Sequence, residues 1–234
     1  MQTPKVALLA CVLFATRILA ADDAAQILKD SEQTYRSLTS YEFKGITTSE
    51  TKVGKSVSKS ETSFAVAFKP PNEFRLEYDY PTAGNWIRAS DGKTVWNQRS
   101  ITKEFTSTPA DDQTLLMLDG SPVAQFADVA EGVQNPTLVG SEAVTIGGQN
   151  YDCYVIQVQR ADATASGGGT PVPVKLWIDK TRHLVLKQVT GSDAGAGSLK
   201  SSENQRTLSF TEVVVNGSIP DDLFHLTKNI SKRK

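Results

Sequence analysis

Two neighbouring segments constrain this chain more than any other stretch. Phe64-Ala65-Val66-Ala67-Phe68 puts three large apolar residues on one face of a strand and two alanines on the other. Phe74-Arg75-Leu76-Glu77-Tyr78-Asp79-Tyr80 alternates large apolar or aromatic residues with charges. A slip of one residue would bury Arg75, Glu77 and Asp79, so the register is strongly specified and Phe74, Leu76, Tyr78 and Tyr80 must face something apolar. With the Asp91-Gly92 turn and further alternation as far as Phe105, the region reads as a curved antiparallel sheet with one apolar face. Either a core or a ligand lies against that face.

The rest of the chain sets the context. A length of 234 residues with 39% hydrophobic and 22% charged residues fits one globular domain of ordinary composition. The formal charge of −1, with Lys232-Arg233-Lys234 as the basic cluster, offers no attraction for nucleic acid. At the N-terminus, Lys5 precedes the apolar run Val6 to Ala15, and Ile18-Leu19-Ala20-Ala21 offers small residues for cleavage. Residues 1–20 are therefore expected to be a removed signal peptide, leaving 21–234 as a single domain in the periplasm. The run is shorter than the roughly 20 apolar residues of a membrane span, and nothing later is apolar enough, so no membrane-spanning segment is expected. Leu8-Leu9-Ala10-Cys11 looks somewhat like a lipidation box, but the apolar run continues past the cysteine, which favours simple secretion. Cys153 is then the one cysteine of the mature chain and reads as a buried structural thiol in the strand Tyr151 to Ile156.

A helix is expected over Ala24 to Leu38, where Ile27, Leu28, Tyr35 and Leu38 recur at helical spacing behind Asp22 and Asp23 as capping residues. From Tyr41 the period changes to strands, and Thr47 to Lys59 reads as a solvated hairpin tip or edge. In the middle, Asp112 to Leu118 and the segment opened by Ser121-Pro122, with Val123, Phe126 and Val129, read as two short helices. The same amphipathic pattern serves a plug for the sheet or a lid over a cavity. Strands resume at Ala143 to Ile146, Tyr151 to Gln159, Val174 to Asp179, Leu184 to Thr190 and Thr207 to Val215. Ala161 to Pro173 and Gly191 to Asn204, rich in small residues, read as loops. The expected class is α+β, mainly β: an unclosed barrel formed by a curved antiparallel sheet, covered by the N-terminal helix and short lid helices.

Catalytic chemistry lacks its parts. The two histidines, His183 and His225, stand far apart, and no HExxH, CxxC, G-x-S-x-G or phosphate loop occurs. The reading is a protein that is not an enzyme, with no cofactor and no metal site.

Lys69-Pro70-Pro71-Asn72-Glu73-Phe74-Arg75, Ser90-Asp91-Gly92-Lys93-Thr94-Val95-Trp96, the strand with Leu176-Trp177-Ile178-Asp179 and the closing Asp222-Leu223-Phe224 together resemble the LolA-like superfamily of periplasmic lipoprotein carriers, which includes LolB and RseB-like domains. The resemblance implies an unclosed antiparallel barrel with lid helices over an apolar cavity that holds acyl chains. On that expectation Phe64, Val66, Phe68, Phe74, Leu76, Tyr78, Trp96, Phe105, Leu116 and Phe126 line the cavity, and the partners are lipid or lipoprotein acyl chains. The alternative within the same superfamily is an RseB-like sensor or interaction domain that regulates an envelope protein. One departure matters: where the carriers have an arginine that helps hold the lid, this chain has Pro70, which has no side-chain donor.

Overall fold

A computed structural model of the chain describes residues 15–110, 124–160, 171–193 and 202–227. One helix, α1 (Ala15–Ser37), is followed by β1 (Tyr41–Val53), β2 (Ser56–Lys69), β3 (Glu73–Tyr80), β4 (Gly84–Asp91), β5 (Thr94–Arg99) and β6 (Glu104–Pro109). A 3-10 turn, Ala124–Phe126, leads to β7 (Val133–Ile146), β8 (Gln149–Arg160), β9 (Val172–Asp179), β10 (Val185–Asp193) and β11 (Ser202–Val215), and a second 3-10 turn, Asp221–Phe224, follows. The strands form one antiparallel sheet in the order β6-β5-β4-β3-β2-β1-β11-β10-β9-β8-β7, which is not closed into a barrel. The second half curls until β7 approaches β11.

Directly opposed residues of antiparallel strands share a face, so the register sorts every side chain in the first half. Val66, Leu76, Arg88 and Asn97 form one row, and Phe64, Tyr78, Trp86 and Arg99 form the next. Both belong to the face that carries α1, called the inner face below. The row between them, Ala65, Glu77, Ile87 and Gln98, and the row on the other side of Val66, Ala67, Arg75, Ala89 and Trp96, belong to the outer face. The alternation in the sequence anticipates this division: Phe64, Val66, Phe74 and Leu76 are all buried in the main core.

Helix α1 lies on the inner face because Ala24, Ile27, Leu28, Ser31, Tyr35 and Leu38 repeat at three- and four-residue spacing and are all buried. It starts at Ala15 rather than Ala24, so Asp22 and Asp23 lie within it and do not cap it. The residues upstream, Ile18-Leu19-Ala20-Ala21, are mostly strong helix formers, and they carry the helix past the expected start.

Three other expectations need correction. Among the described residues, the segment after Ser121-Pro122 holds a 3-10 turn, Ala124–Phe126, and then a turn closed by the Val129 N–H on the Phe126 carbonyl at 3.3 Å, which buries Phe126 and Val129 together. The helix expected over Asp112 to Leu118, with Leu116, lies outside the described residues. Strand β7 begins ten residues before Ala143 because Asn135 at φ 51 and Gly140 at φ 156 accompany two bulges, which break the alternation that marks a strand. The Gly- and Ser-rich insert is shorter than it reads, since Gly191 pairs with Gln205 and Ser192 with Asn204.

Gly45 of β1 stands between the ring of Phe64 and the next strand. A Cβ at Gly45 would fall 2.5 Å from Phe64 Cζ and 2.5 Å from the Ser209 carbonyl oxygen. Gly45→Ala is therefore expected to destabilise the fold by about 1–3 kcal/mol through overpacking, read as a lower midpoint in urea unfolding; an unchanged midpoint would show that Phe64 moves aside freely.

Candidate functional site: the inner aromatic face

The inner face is held together by a continuous series of rings. Tyr41 stacks on Phe68 and on Phe43; Phe43 meets Phe210 and Tyr35; Phe210 meets Phe64 and Phe126; Phe64 leads to Tyr78, which stacks on Trp86. Centroid separations run from 5.1 Å for Tyr41 and Phe68 to 6.5 Å for Phe64 and Tyr78, within the range where ring pairs attract. The middle is sealed and the ends are not. Phe43, Phe64, Phe126 and Phe210 are buried, whereas Tyr41, Phe68, Tyr78 and Trp86 are half-buried. Burial still pushes the Tyr78 phenol up to about 12, with Tyr80 adding to the rise and Arg206 opposing it.

An irregular loop completes the layer. Phe126 and Val129, both 0% exposed, reach into the core from a segment with no strand partner. Arg36, in the last turn of α1, ties that segment down: its Nε donates to the Ala127 carbonyl at 3.0 Å, and its Nη2 lies 2.8 Å from Asp128 and 3.3 Å from Glu131. Arg36 also pairs with Glu32 at 2.8 Å, and Arg160 donates to the Asp128 carbonyl at 2.9 Å. Glu32, Asp128 and Glu131 bring carboxylates close enough to suggest a cation site, but the Arg36 guanidinium already sits among all three.

Of the residues expected to line the cavity, the structure brings seven onto this layer: Phe64, Val66, Phe68, Phe74, Leu76, Tyr78 and Phe126. Trp96 and Phe105 are on the other face. Trp96 opposes Ala89, and Phe105 opposes Gln98, so both fall in outer rows. Trp96 borders a second, smaller packing site. There Ala67, Ile219, Leu223 and Phe224 cluster, and the Trp96 ring lies 5.3 Å from that of His225. Leu116 is outside the described residues.

Three of the four segments that carry the resemblance, 69–75, 90–96 and 222–224, meet at that outer site, while Leu176, Trp177 and Ile178 belong to the main core. Lys69 bridges Glu73 at 3.0 Å and Asp221 at 2.7 Å, with its ammonium 5.8 Å from the Phe224 ring centroid. Arg75 donates to the Leu223 carbonyl at 3.0 Å. Asp91 accepts from the backbone N–H groups of Lys93 and Thr94; although partial burial works the other way, these bonds hold its carboxyl below the usual range. Pro70-Pro71, a cis bond, makes the tight link between β2 and β3. These stretches staple the closing segment to the back of the sheet.

The remaining features are apart from this layer. An open polar groove of about 440 Å³ is lined by Gln149, Asp152, Asp179 and Arg182 among others, and suits no acyl chain. Cys153 is buried, and burial pushes its thiol up to about 11, which leaves it inert at neutral pH. Sequence reasoning missed Tyr35, Phe43, Trp86, Arg88 and Phe210. Of these, Trp86 and Arg88 could have been found from their two-residue spacing, which puts them on one face.

No protein-family model matches the chain, and no curated protein matches it in sequence. Solved structures that it resembles include LprF from Mycobacterium bovis, at 19% identity over 85% of this chain and 98% of that one, with a TM-score of 0.49. MucB of Pseudomonas aeruginosa in complex with MucA is similar at 15% identity over 88% of this chain and 61% of that one, with a TM-score of 0.46. A LolA superfamily protein from Nitrosomonas europaea is similar at 14% identity over 87% and 97% of the two chains, with a TM-score of 0.34. Among the described residues no helix is long and apolar enough to cross a membrane.

Arg36→Ala is expected to speed amide hydrogen exchange at Val129 and Glu131 while leaving β1 to β3 unchanged. Equal exchange in wild type and variant would mean that apolar contacts alone hold the loop.

Proposed function

We propose that this chain is an envelope lipid-binding protein that holds acyl chains against the inner aromatic face, in the manner of a lipoprotein carrier. The observation that carries the reading is the plug: the apolar layer is completed by Phe126 and Val129 from an irregular loop, held at its rim by the Arg36 ion pairs. Exposed ion pairs of this kind are weak individually, so the main cost of moving the loop is the uncovering of Phe126 and Val129, which an acyl chain in their place would offset. An acyl chain offers the same chemistry as the side chains it would displace, and stacked rings give it a flat apolar bed. On this reading residues 1–20 direct the chain to the periplasm and are removed, and 21–234 work as one domain. Cut there, the helix would begin near Asp22 and Asp23, which would then complement its positive end. The function is carriage or sequestration, with no bond made or broken.

Native mass spectrometry of the purified mature protein, with organic extraction of what co-purifies, tests the reading. Discrete added masses that extract as lipid are expected. A clean apo mass, together with failure to take up a fluorescent fatty acid, would contradict it and favour the RseB-like alternative, in which the same fold engages a protein partner.

A further inference from the structure

We propose that the amphiphile held on the inner face carries an anionic head, a carboxylate or a phosphate, and that Arg88 binds it. The inference rests on the acyl-chain reading above and adds the chemistry of the other end of the ligand.

Charge on the first half of the sheet is sorted by face. All four lysines of β1 and β2, Lys44, Lys52, Lys59 and Lys69, alternate to the outer face together with most of the carboxylates of these strands. The inner positions of β1 to β6 and of β11 hold three arginines, Arg88, Arg99 and Arg206, against the carboxylate of Glu104. Arg99 and Arg206 are exposed and flank the half-buried end of the aromatic layer: Arg99 opposes Trp86, and Arg206 acts on the Tyr78 phenol.

Arg88 is different. It is 6% exposed, opposes Leu76 on one side and Asn97 on the other, and places its guanidinium 5.9 Å from the Phe74 ring centroid. Burial works against its charge, yet a guanidinium keeps its proton under any ordinary condition. A fixed cation embedded in a layer otherwise suited to hydrocarbon is costly to maintain, and a leucine or methionine would pack there with less penalty. Arg88 is not without a partner within the chain, and on this proposal the ligand head takes that partner's place. The planar fork of arginine matches two oxygens of a carboxylate or a phosphate, which fits an acid and not a neutral glyceride or alcohol.

The test compares matched pairs by titration calorimetry: oleate against oleyl alcohol, and oleoyl lysophosphatidic acid against monooleoylglycerol. Wild-type protein is expected to bind at least one acid about tenfold more tightly than its neutral counterpart, and which pair shows the preference separates carboxylate from phosphate. Arg88→Met is expected to lose that preference, read as the ratio of acid to neutral affinity within the variant, and Arg88→Lys to keep part of it. Equal binding of acids and neutral partners by the wild type overturns the inference and leaves the acyl-chain reading standing, without reference to how any variant folds. A preference retained in Arg88→Met assigns the head to other groups and also overturns it. Failure of all four compounds to bind overturns the acyl-chain reading and this inference with it.

Discussion

The absence of a side chain at Gly45 is the constraint on which the inner face depends. Because β1 offers no Cβ there, the Phe64 ring of β2 lies across it and reaches Phe210 of β11, with ring centroids 5.8 Å apart. That contact joins the two halves of the sheet through their side chains as well as through the β1 and β11 ladder. Phe210 then receives Phe126 from the loop, and Phe126 receives Tyr35 from α1. Tyr35 in turn accepts a hydrogen bond from the Val185 N–H at 3.1 Å, which fixes the helix over β10. Helix, loop and sheet thus meet through one series of rings that starts at a glycine.

The two faces of the first half of the sheet divide the work. On the outer face, Lys69, Arg75, Asp91 and Trp96 hold the closing segment through ion pairs, a carbonyl acceptor and ring contacts. In the stretches 69–75 and 90–96 these outward residues have a structural task, the anchoring of 221–225. On the inner face the packing is apolar and is completed by a loop with polar ties. Pro70 occupies a tight link on the outer staple, and the tie to the loop comes from Arg36 in α1.

Much of this was legible in the sequence, and the failures have physical causes. The alternation of Phe64, Val66 and Phe68 with alanines, and of Phe74, Leu76 and Tyr78 with charges, specified the buried face because a slip would bury charge. Trp96 and Phe105 misled because hydrophobicity does not say which face a residue takes. Here the sheet is covered on both sides, and the phase across the Asp91-Gly92 turn puts the smaller Val95 inward. Arg88 escaped notice for a related reason. Trp86-Ile87-Arg88-Ala89 shows no clean alternation, and an arginine on an apolar face is what pattern reading is built to reject. Gly45 reads as an ordinary strand residue until its cross-strand neighbour is known.

The central claim is that acyl chains lie on the inner aromatic face. Photo-crosslinking with a diazirine fatty acid, followed by peptide mapping, addresses it most directly. Adducts at Tyr78, Trp86 and the 124–132 loop are the predicted result; adducts confined to the outer site around Trp96 and Phe224 would contradict it.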